Sequence, residues 1–199
     1  RINGRRRVWR RLNERYEEKA LKGSFKHDLK INVWGCFCAQ GVGKLSLIEG
    51  IMDTKVYTLI LDNELRDSVK SLFKRKSFIF QQDNDPKHKA KKTIEYLADN
   101  GIKVLPWPPQ SPDLNPIENL WSILDKKCRR REPKNARELF EDLQEAWNAL
   151  EVELLQKLVD SMPRRLQAVI DAKGMPLRLA FDWSIQNLCS INIWLDFSK

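Results

Sequence analysis

Five prolines in eleven residues, Pro106, Pro108, Pro109, Pro112 and Pro116, set the tightest limit on how this chain can fold. Proline fixes φ and has no N–H to donate, so residues 106–116 exclude both helix and central strand. The stretch reads as a stiff connector with little entropy to lose on ordering. Regular structure must end before it and restart after it. After it, Asn115 offers a helix cap and Pro116 a first-turn residue. Ile117, Leu120, Trp121 and Leu124 then fall at i, i+3, i+4 and i+7, one apolar face of a helix. That helix ends in Lys126, Lys127, Arg129, Arg130 and Arg131, part of which complements the negative end of the helix.

Before the connector, Ser77–Gln82 reads as a strand. Phe78, Ile79 and Phe80 are contiguous, which predicts burial on both faces and a place near the sheet centre. Asp83 ends it. Asp85 and Pro86 then predict a capped helix, with Ala90, Ile94, Leu97 and Ala98 inward and Lys87, Lys89, Lys91 and Lys92 mostly outward. Asn100-Gly101 closes that helix, and residues 102–105 form a further short strand. The strand–helix–strand order implies parallel pairing and an α/β fold.

Elsewhere, Val8 and Trp9 within RRRVWRR (5–11) suggest a basic edge strand. Residues 29–49 predict a hairpin: Leu29, Ile31, Val33 and Phe37 alternate with Lys30, Asn32, Trp34 and Cys36, and Gly41-Val42-Gly43 supplies the turn. Gly43-Lys44 resembles the end of a phosphate-binding loop, but Cys38 and Leu45 stand where Gly and Ser or Thr are needed, so nucleotide binding is rejected. Tyr57, Leu61, Leu65, Val69 and Leu72 predict a helix over 53–73 capped by Asp53. Asn135 and Glu138 form a capping pair for a helix over 135–150, and two more helices follow over 152–162 and 163–172. Residues 175–199 show no clear period and stand apart from the domain 1–174.

The chain's 199 residues suffice for one domain with a sizeable core. Lys and Arg number 36 against 27 Asp and Glu, a net charge of +9. That balance favours a polyanionic partner, nucleic acid first, although a basic surface with no specific partner is the plainer reading. Cys36, Cys38, Cys128 and Cys189 lack zinc-site spacing and read as reduced thiols of an intracellular protein. No apolar run is long enough for a membrane span, and the polar, arginine-rich start does not read as a signal peptide.

The candidate chemistry lies at Asp83 and Glu118. Phosphodiester cleavage needs a nucleophilic water and a stabilised leaving oxygen, and two Mg²⁺ ions about 3.5–4 Å apart serve both. Mg²⁺ takes oxygen ligands, so carboxylates must converge from different elements. Asp83 follows a strand, at the end where open α/β sheets place ligands. Glu118 sits in the first turn of a helix. Plainer roles compete: Asp83 as a turn former in DNDP, and Glu118 as the partner of Asn115 in a capping pair. His88, five residues after Asp83, is either near the site or a polar helix residue.

The segments QQDNDPKHKA (81–90) and WPPQSPDLNPIENLW (107–121) closely resemble the DDE transposases of the Tc/mariner superfamily. By that resemblance Asp83 and Glu118 are the second and third catalytic acids. They are 35 positions apart (118 − 83), the spacing of the Tc branch. The likeness extends through RRRVWRR, INVWGCF and DSMPRRLQAVIDAKG, over roughly residues 4–174. It implies an RNase H-like fold, a five-stranded mixed sheet flanked by helices. It implies Mg²⁺ or Mn²⁺ in a two-metal site, with Asp83 bridging both ions and Glu118 holding one. The implied activity is cleavage of double-stranded DNA at transposon ends and transfer of the 3′-hydroxyl into target DNA, typically at TA, in the nucleus. A homo-oligomer is a further expectation. Lys87, His88, Lys89, Lys91 and Lys92, with Lys126, Lys127, Arg129, Arg130 and Arg131, would contact DNA.

The departures from the family pattern are specific. Its first catalytic Asp lies on a first strand, just before the region matching Arg5–Arg11, and no residue here matches it. The N-terminal DNA-binding modules have no counterpart either. Two of three ligands and four of five strands are therefore expected. The alternative reading is a catalytically inactive, transposon-derived remnant that binds only DNA or a partner.

Overall fold

The computed structural model describes residues 29–74, 77–109 and 111–173, and the backbone of 189–195. Four strands, β1 (Asn32–Cys38), β2 (Gly41–Ile48), β3 (Phe78–Gln82) and β4 (Cys189–Leu195), form one sheet in the order β2-β1-β4-β3. The helices are α1 (Thr54–Ile60), α2 (Arg66–Phe73), α3 (Lys91–Asp99), α4 (Pro116–Arg129), α5 (Ala136–Asn148), α6 (Val152–Asp160) and α7 (Met162–Asp171).

The alternation in β1 sorts its side chains into two separate cores. Val33 and Phe37 pack with Ile117, Leu120, Trp121 and Leu124 of α4 and with residues of α5 and α6. Trp34, Cys36 and Cys38 pack with Tyr57, Leu61, Leu65, Phe73 and Leu97 on the other side. The sheet is thus the middle layer between two helical layers. Trp121 and Trp147 stack at 5.1 Å over Gly35. A Cβ on Gly35 would stand 3.0 Å from one indole and 3.1 Å from the other, so the bare backbone is what lets α4 and α5 approach the sheet.

The helix expected over 53–73 is present and is capped by Asp53, which accepts from the Val56 N–H at 2.8 Å. It carries a π-helical turn at Leu61–Leu65. The cysteines Cys36, Cys38 and Cys128 are free and buried. Burial pushes the Cys36 thiol up to about 12, which keeps it protonated and unreactive at neutral pH.

Several expectations change. The hairpin turns at Ala39–Gln40, and Gly41–Gly43 belong to β2. Gly43 serves close packing: an added Cβ would lie 2.5 Å from Cys36 Sγ and 2.6 Å from Ser68 Oγ. β3 is the last of the four strands, not the centre. Its outer side is covered by residues 103–105, where the Phe80 N–H donates to Lys103 O and the Leu105 N–H to Phe80 O, both at 2.8 Å. That segment makes one parallel bridge at Val104 and no longer strand. The helix predicted from Pro86 starts instead at Lys91, and Ile94 and Ala98 lie exposed. The stretch 175–199, set apart above, contributes β4 to the sheet interior, parallel to β1 and antiparallel to β3. Within 189–195, Cys189, Ile191, Ile193 and Leu195 alternate with Ser190, Asn192 and Trp194, a two-residue period that the irregular composition of the wider stretch conceals. The basic strand expected at 5–11 lies outside the described residues.

Gly43→Ala is expected to lower stability by about 1–3 kcal/mol through overpacking against Cys36 and Ser68. Urea unfolding measures it, and an unchanged midpoint would show that β2 and α2 can separate freely.

Candidate metal-binding site around Asp83

β3 ends on two buried glutamines, Gln81 and Gln82, and delivers Asp83 to the point where the chain leaves the sheet. The Asp83 side chain is 44% exposed, while its neighbour His88 is 1% exposed. His88 Nδ1 lies 2.6 Å from Asp83 Oδ1 and 3.3 Å from the Asp83 carbonyl oxygen. Both are acceptors, so Nδ1 carries a proton. The Asp85 N–H also donates to Asp83 Oδ1, at 3.0 Å.

His88 is itself held. Its ring lies against Tyr57, with centroids 4.3 Å apart. The Tyr57 hydroxyl donates to Gln82 Oε1 at 2.6 Å, and Gln82 Nε2 donates to the His88 carbonyl at 3.4 Å. The turn between Asp83 and α3 closes on itself: Asp85 accepts from the Lys87 N–H at 3.0 Å, and the Thr93 hydroxyl donates to Lys87 O at 2.7 Å. This compact turn explains why α3 begins late. A helix continuous from Pro86 would not fold His88 back under Asp83.

Burial pushes the Asp83 carboxyl up. The hydrogen bond and charge of His88, the Asp85 N–H and the charge of Lys87 together outweigh it and hold the carboxyl below the ordinary aspartate range. Asp83 is therefore an ionised, half-exposed oxygen donor whose orientation is set by a buried histidine. That is the arrangement by which outer partners orient metal-ligating groups.

Glu118 lies in the first turn of α4. Asn115 caps that helix, accepting from the Ile117 N–H at 3.4 Å. In a capping box the glutamate reaches back to the cap residue's N–H. Here the Asn115 N–H donates to Pro112 O at 3.0 Å. At Asn135–Glu138, by contrast, Glu138 accepts from Asn135 Nδ2 at 2.9 Å and from the Lys134 N–H at 2.7 Å. The second pair behaves as a cap, and the first has its reciprocal arm taken by a carbonyl. Across the sheet, Gly35 pairs with Ser190, and Ile191 pairs with Gln82. The row beneath Trp121, one turn after Glu118, therefore runs to the level of Asp83 two strand spacings away, about 10 Å.

Asn84 Nδ2 donates to Trp107 O at 2.8 Å, tying the turn to the proline-rich connector. Between them opens a cleft of about 370 Å³ lined by Asp83, His88, Lys89, Leu97, Val104 and Trp107 among others. Among the described residues no group of three or more His, Cys, Asp or Glu stands ready to hold a metal ion. The donors at hand nevertheless suit a hard cation: Mg²⁺ is commonly held by one or two carboxylates, with water and phosphate oxygens completing its shell.

The basic residues divide. Lys89, Lys91, Lys92, Lys126, Lys127 and Arg130 are exposed, Lys91 with Glu95 3.7 Å away in a loose surface pair. Lys87 pairs with Asp85. Arg129 pairs with Asp125 at 2.8 Å, and Arg131 bridges α4 to Asp142 and Glu145 of α5. His88 does not belong with the exposed lysines, because it is buried and turned to Asp83. Tyr57 and Gln82 were missed as site residues. Tyr57 falls in an apolar stripe and reads as core, and only the doubled Gln at the end of an apolar strand hinted at buried polar partners.

A family model described as DDE superfamily endonuclease matches residues 3–140. The Tcb2 transposase of Caenorhabditis briggsae is 45% identical over 148 residues, covering 74% of this chain and 54% of the relative. The Tcb1 transposase of the same organism is 40% identical over 172 residues, covering 86% and 63%. The chain thus spans between about half and two-thirds of the length of these relatives. Its structure is similar to the catalytic domain of Mos1 mariner transposase, with TM-score 0.61 at 20% identity, covering 84% of this chain and 90% of that one. The fold is accordingly RNase H-like.

His88→Ala removes the contact that most lowers the Asp83 pKa, so the Asp83 carboxyl should titrate at higher pH, read by ¹³C NMR. The sign for stability follows. Asp83 has a depressed folded pKa, so its contribution is complete above the unfolded carboxyl range and is lost as pH falls through the folded value. The stability gap between wild type and His88→Ala should narrow on acidification. An Asp83 titration indifferent to the substitution would break this account.

Proposed function

The chain belongs to the DDE superfamily endonucleases, with Tc-type transposases as its relatives, and we propose that it performs their chemistry on DNA. The reaction is hydrolysis of the phosphodiester at transposon ends, followed by attack of the freed 3′-hydroxyl on target DNA, typically at TA. The observation that carries this reading is the ionised Asp83 carboxylate, clamped by a buried histidine at the mouth of a cleft.

Asp83 and Glu118 are the residues that would hold Mg²⁺ or Mn²⁺, which when bound supplies an activated water and stabilises the leaving oxygen. His88, through Nδ1, keeps the Asp83 carboxylate in one orientation. The Asp85 N–H and Lys87 keep it ionised. Lys89, Lys91, Lys92, Lys126, Lys127 and Arg130 neutralise backbone phosphates of double-stranded DNA. The paired Lys87, Arg129 and Arg131 serve chiefly to hold the turn and the α4–α5 contact. Mos1 has been solved in paired-end complexes, one of them with Mg. Assembly of this chain as a homo-oligomer on paired DNA ends, and action on chromosomal DNA in the nucleus, belong to the same proposal.

A second reading, a DNA-binding protein without cleavage, is favoured by one observation: among the described residues no group of three or more His, Cys, Asp or Glu could hold a metal ion. Nicking of plasmid DNA in Mn²⁺ separates the two. Under the first reading, Asp83→Asn and Glu118→Gln each reduce nicking by roughly 10²-fold or more, several kcal/mol of barrier, with DNA affinity little changed. Retained nicking in both variants would refute the catalytic assignment. Absence of nicking by the wild type, with salt-sensitive binding intact, selects the second.

The charge division makes its own prediction. Replacing Lys126, Lys127 or Arg130 by Ala should each flatten the dependence of log affinity on log salt by about 0.9. Arg131→Ala should instead lower thermal stability slightly, because the bridge it breaks to Asp142 and Glu145 is exposed.

A further inference from the structure

The first turn of α4 is held by a residue far away in sequence. Arg165, on α7, donates from Nη1 to Asn119 Oδ1 at 2.6 Å and to the Asp113 carbonyl at 3.2 Å. Its Nε donates to Ser161 Oγ at 2.8 Å, and that hydroxyl donates to Leu158 O at 2.6 Å. Asn119 immediately follows Glu118. Asp113 sits in the single 3₁₀ turn, Pro112–Leu114, that leads into the cap. One guanidinium therefore grips the chain on both sides of the point where α4 begins.

The Arg165 contact to Asn119 is shorter than the cap contact from Asn115. The Asn115 contact to the Ile117 N–H is 3.4 Å long, at the weak end for a hydrogen bond. The contact from Arg165 to Asn119 is short and charge-assisted, the stronger kind. Asp113 and Asn115 are 7% and 2% exposed, so their backbone groups depend on protein partners. The geometry also selects arginine. A lysine ammonium is a single point of donation and cannot span Ser161 on one side and Asn119 with Asp113 on the other.

We propose that Arg165 is a positioning residue for Glu118: its guanidinium locks the first turn of α4 against α7 and so fixes where the Glu118 carboxylate is presented. The inference rests on the reading of Glu118 as a metal-binding acid, and it goes beyond that reading by naming what holds the acid in place.

The test uses the chain of 199 residues as wild type, Arg165→Met and Arg165→Lys, with Ser161→Ala as a control that loosens only the α7 side. Two readouts are taken: amide hydrogen exchange, and broadening of Asp83 and Glu118 NMR signals by added Mn²⁺. Arg165→Met should speed exchange at residues 117–120 by about tenfold or more, with α5 unchanged. It should also raise the Mn²⁺ concentration that broadens Glu118 by about threefold or more, while Asp83 responds as in wild type. Arg165→Lys should fall between the two, and it carries the test if the Met variant does not fold. A role limited to docking α7 would speed exchange along α7 in Ser161→Ala and Arg165→Met alike, leave the Glu118 response unmoved, and overturn the proposal. If wild-type Glu118 shows no Mn²⁺ response, the metal reading fails. The exchange at 117–120 then judges the brace by itself, and unchanged exchange there overturns it.

Discussion

Burial of β1 on both faces is the constraint from which the rest of the domain follows. A strand with apolar side chains pointing both ways must be covered twice, and it recruits a helical layer to each side. On one side Gly35 admits the stacked Trp121 and Trp147, and with them α4, the helix that carries Glu118. On the other side Tyr57 packs among the residues covering Trp34 and Cys36, and its ring and hydroxyl reach His88 and Gln82. The two acids are thus supported from opposite layers of one sheet. A change in the core beneath either acid moves one of them relative to the other, so packing and chemistry are coupled through β1.

Charge pairing divides the work among residues that look alike in the sequence. Asp83 and Asp85 are two residues apart, yet one presents a half-exposed carboxylate while the other closes a turn through Lys87. Arg130 is exposed between Arg129 and Arg131, which are committed to carboxylates of α4 and α5. Exposed ion pairs contribute little to stability individually. Their larger effect here is to decide which cations remain for a polyanion.

Much of the site was legible because it rests on local rules. The cap at Asn115, Pro116 in the first helical turn and the two-residue period of β1 all follow from short-range stereochemistry, and each is present. What escaped was set by partners distant in the chain. Nothing near Gly43 announces that Cys36 and Ser68 leave no room for a Cβ. The burial of His88 depends on Tyr57, thirty-one positions earlier (88 − 57), and the bracing of Glu118's turn depends on Arg165. The contiguous apolar run of β3 was read as a central strand, yet the cover on its outer edge is a short irregular segment from beyond α3. Apolar runs report burial. They do not report what provides it.

The place of β4 has a topological consequence. Its neighbours β1 and β3 run in opposite directions, since β4 is parallel to one and antiparallel to the other. Any strand lying between two oppositely directed neighbours makes one parallel and one antiparallel ladder, whichever way it is threaded. Reversing it exchanges the two ladders and leaves their kinds and number unchanged. Between neighbours that run alike, reversal would convert both ladders at once. The interior position in this sheet is therefore indifferent, as far as the backbone is concerned, to the polarity of its occupant. Direction there is decided by side chains and by the connecting chain alone.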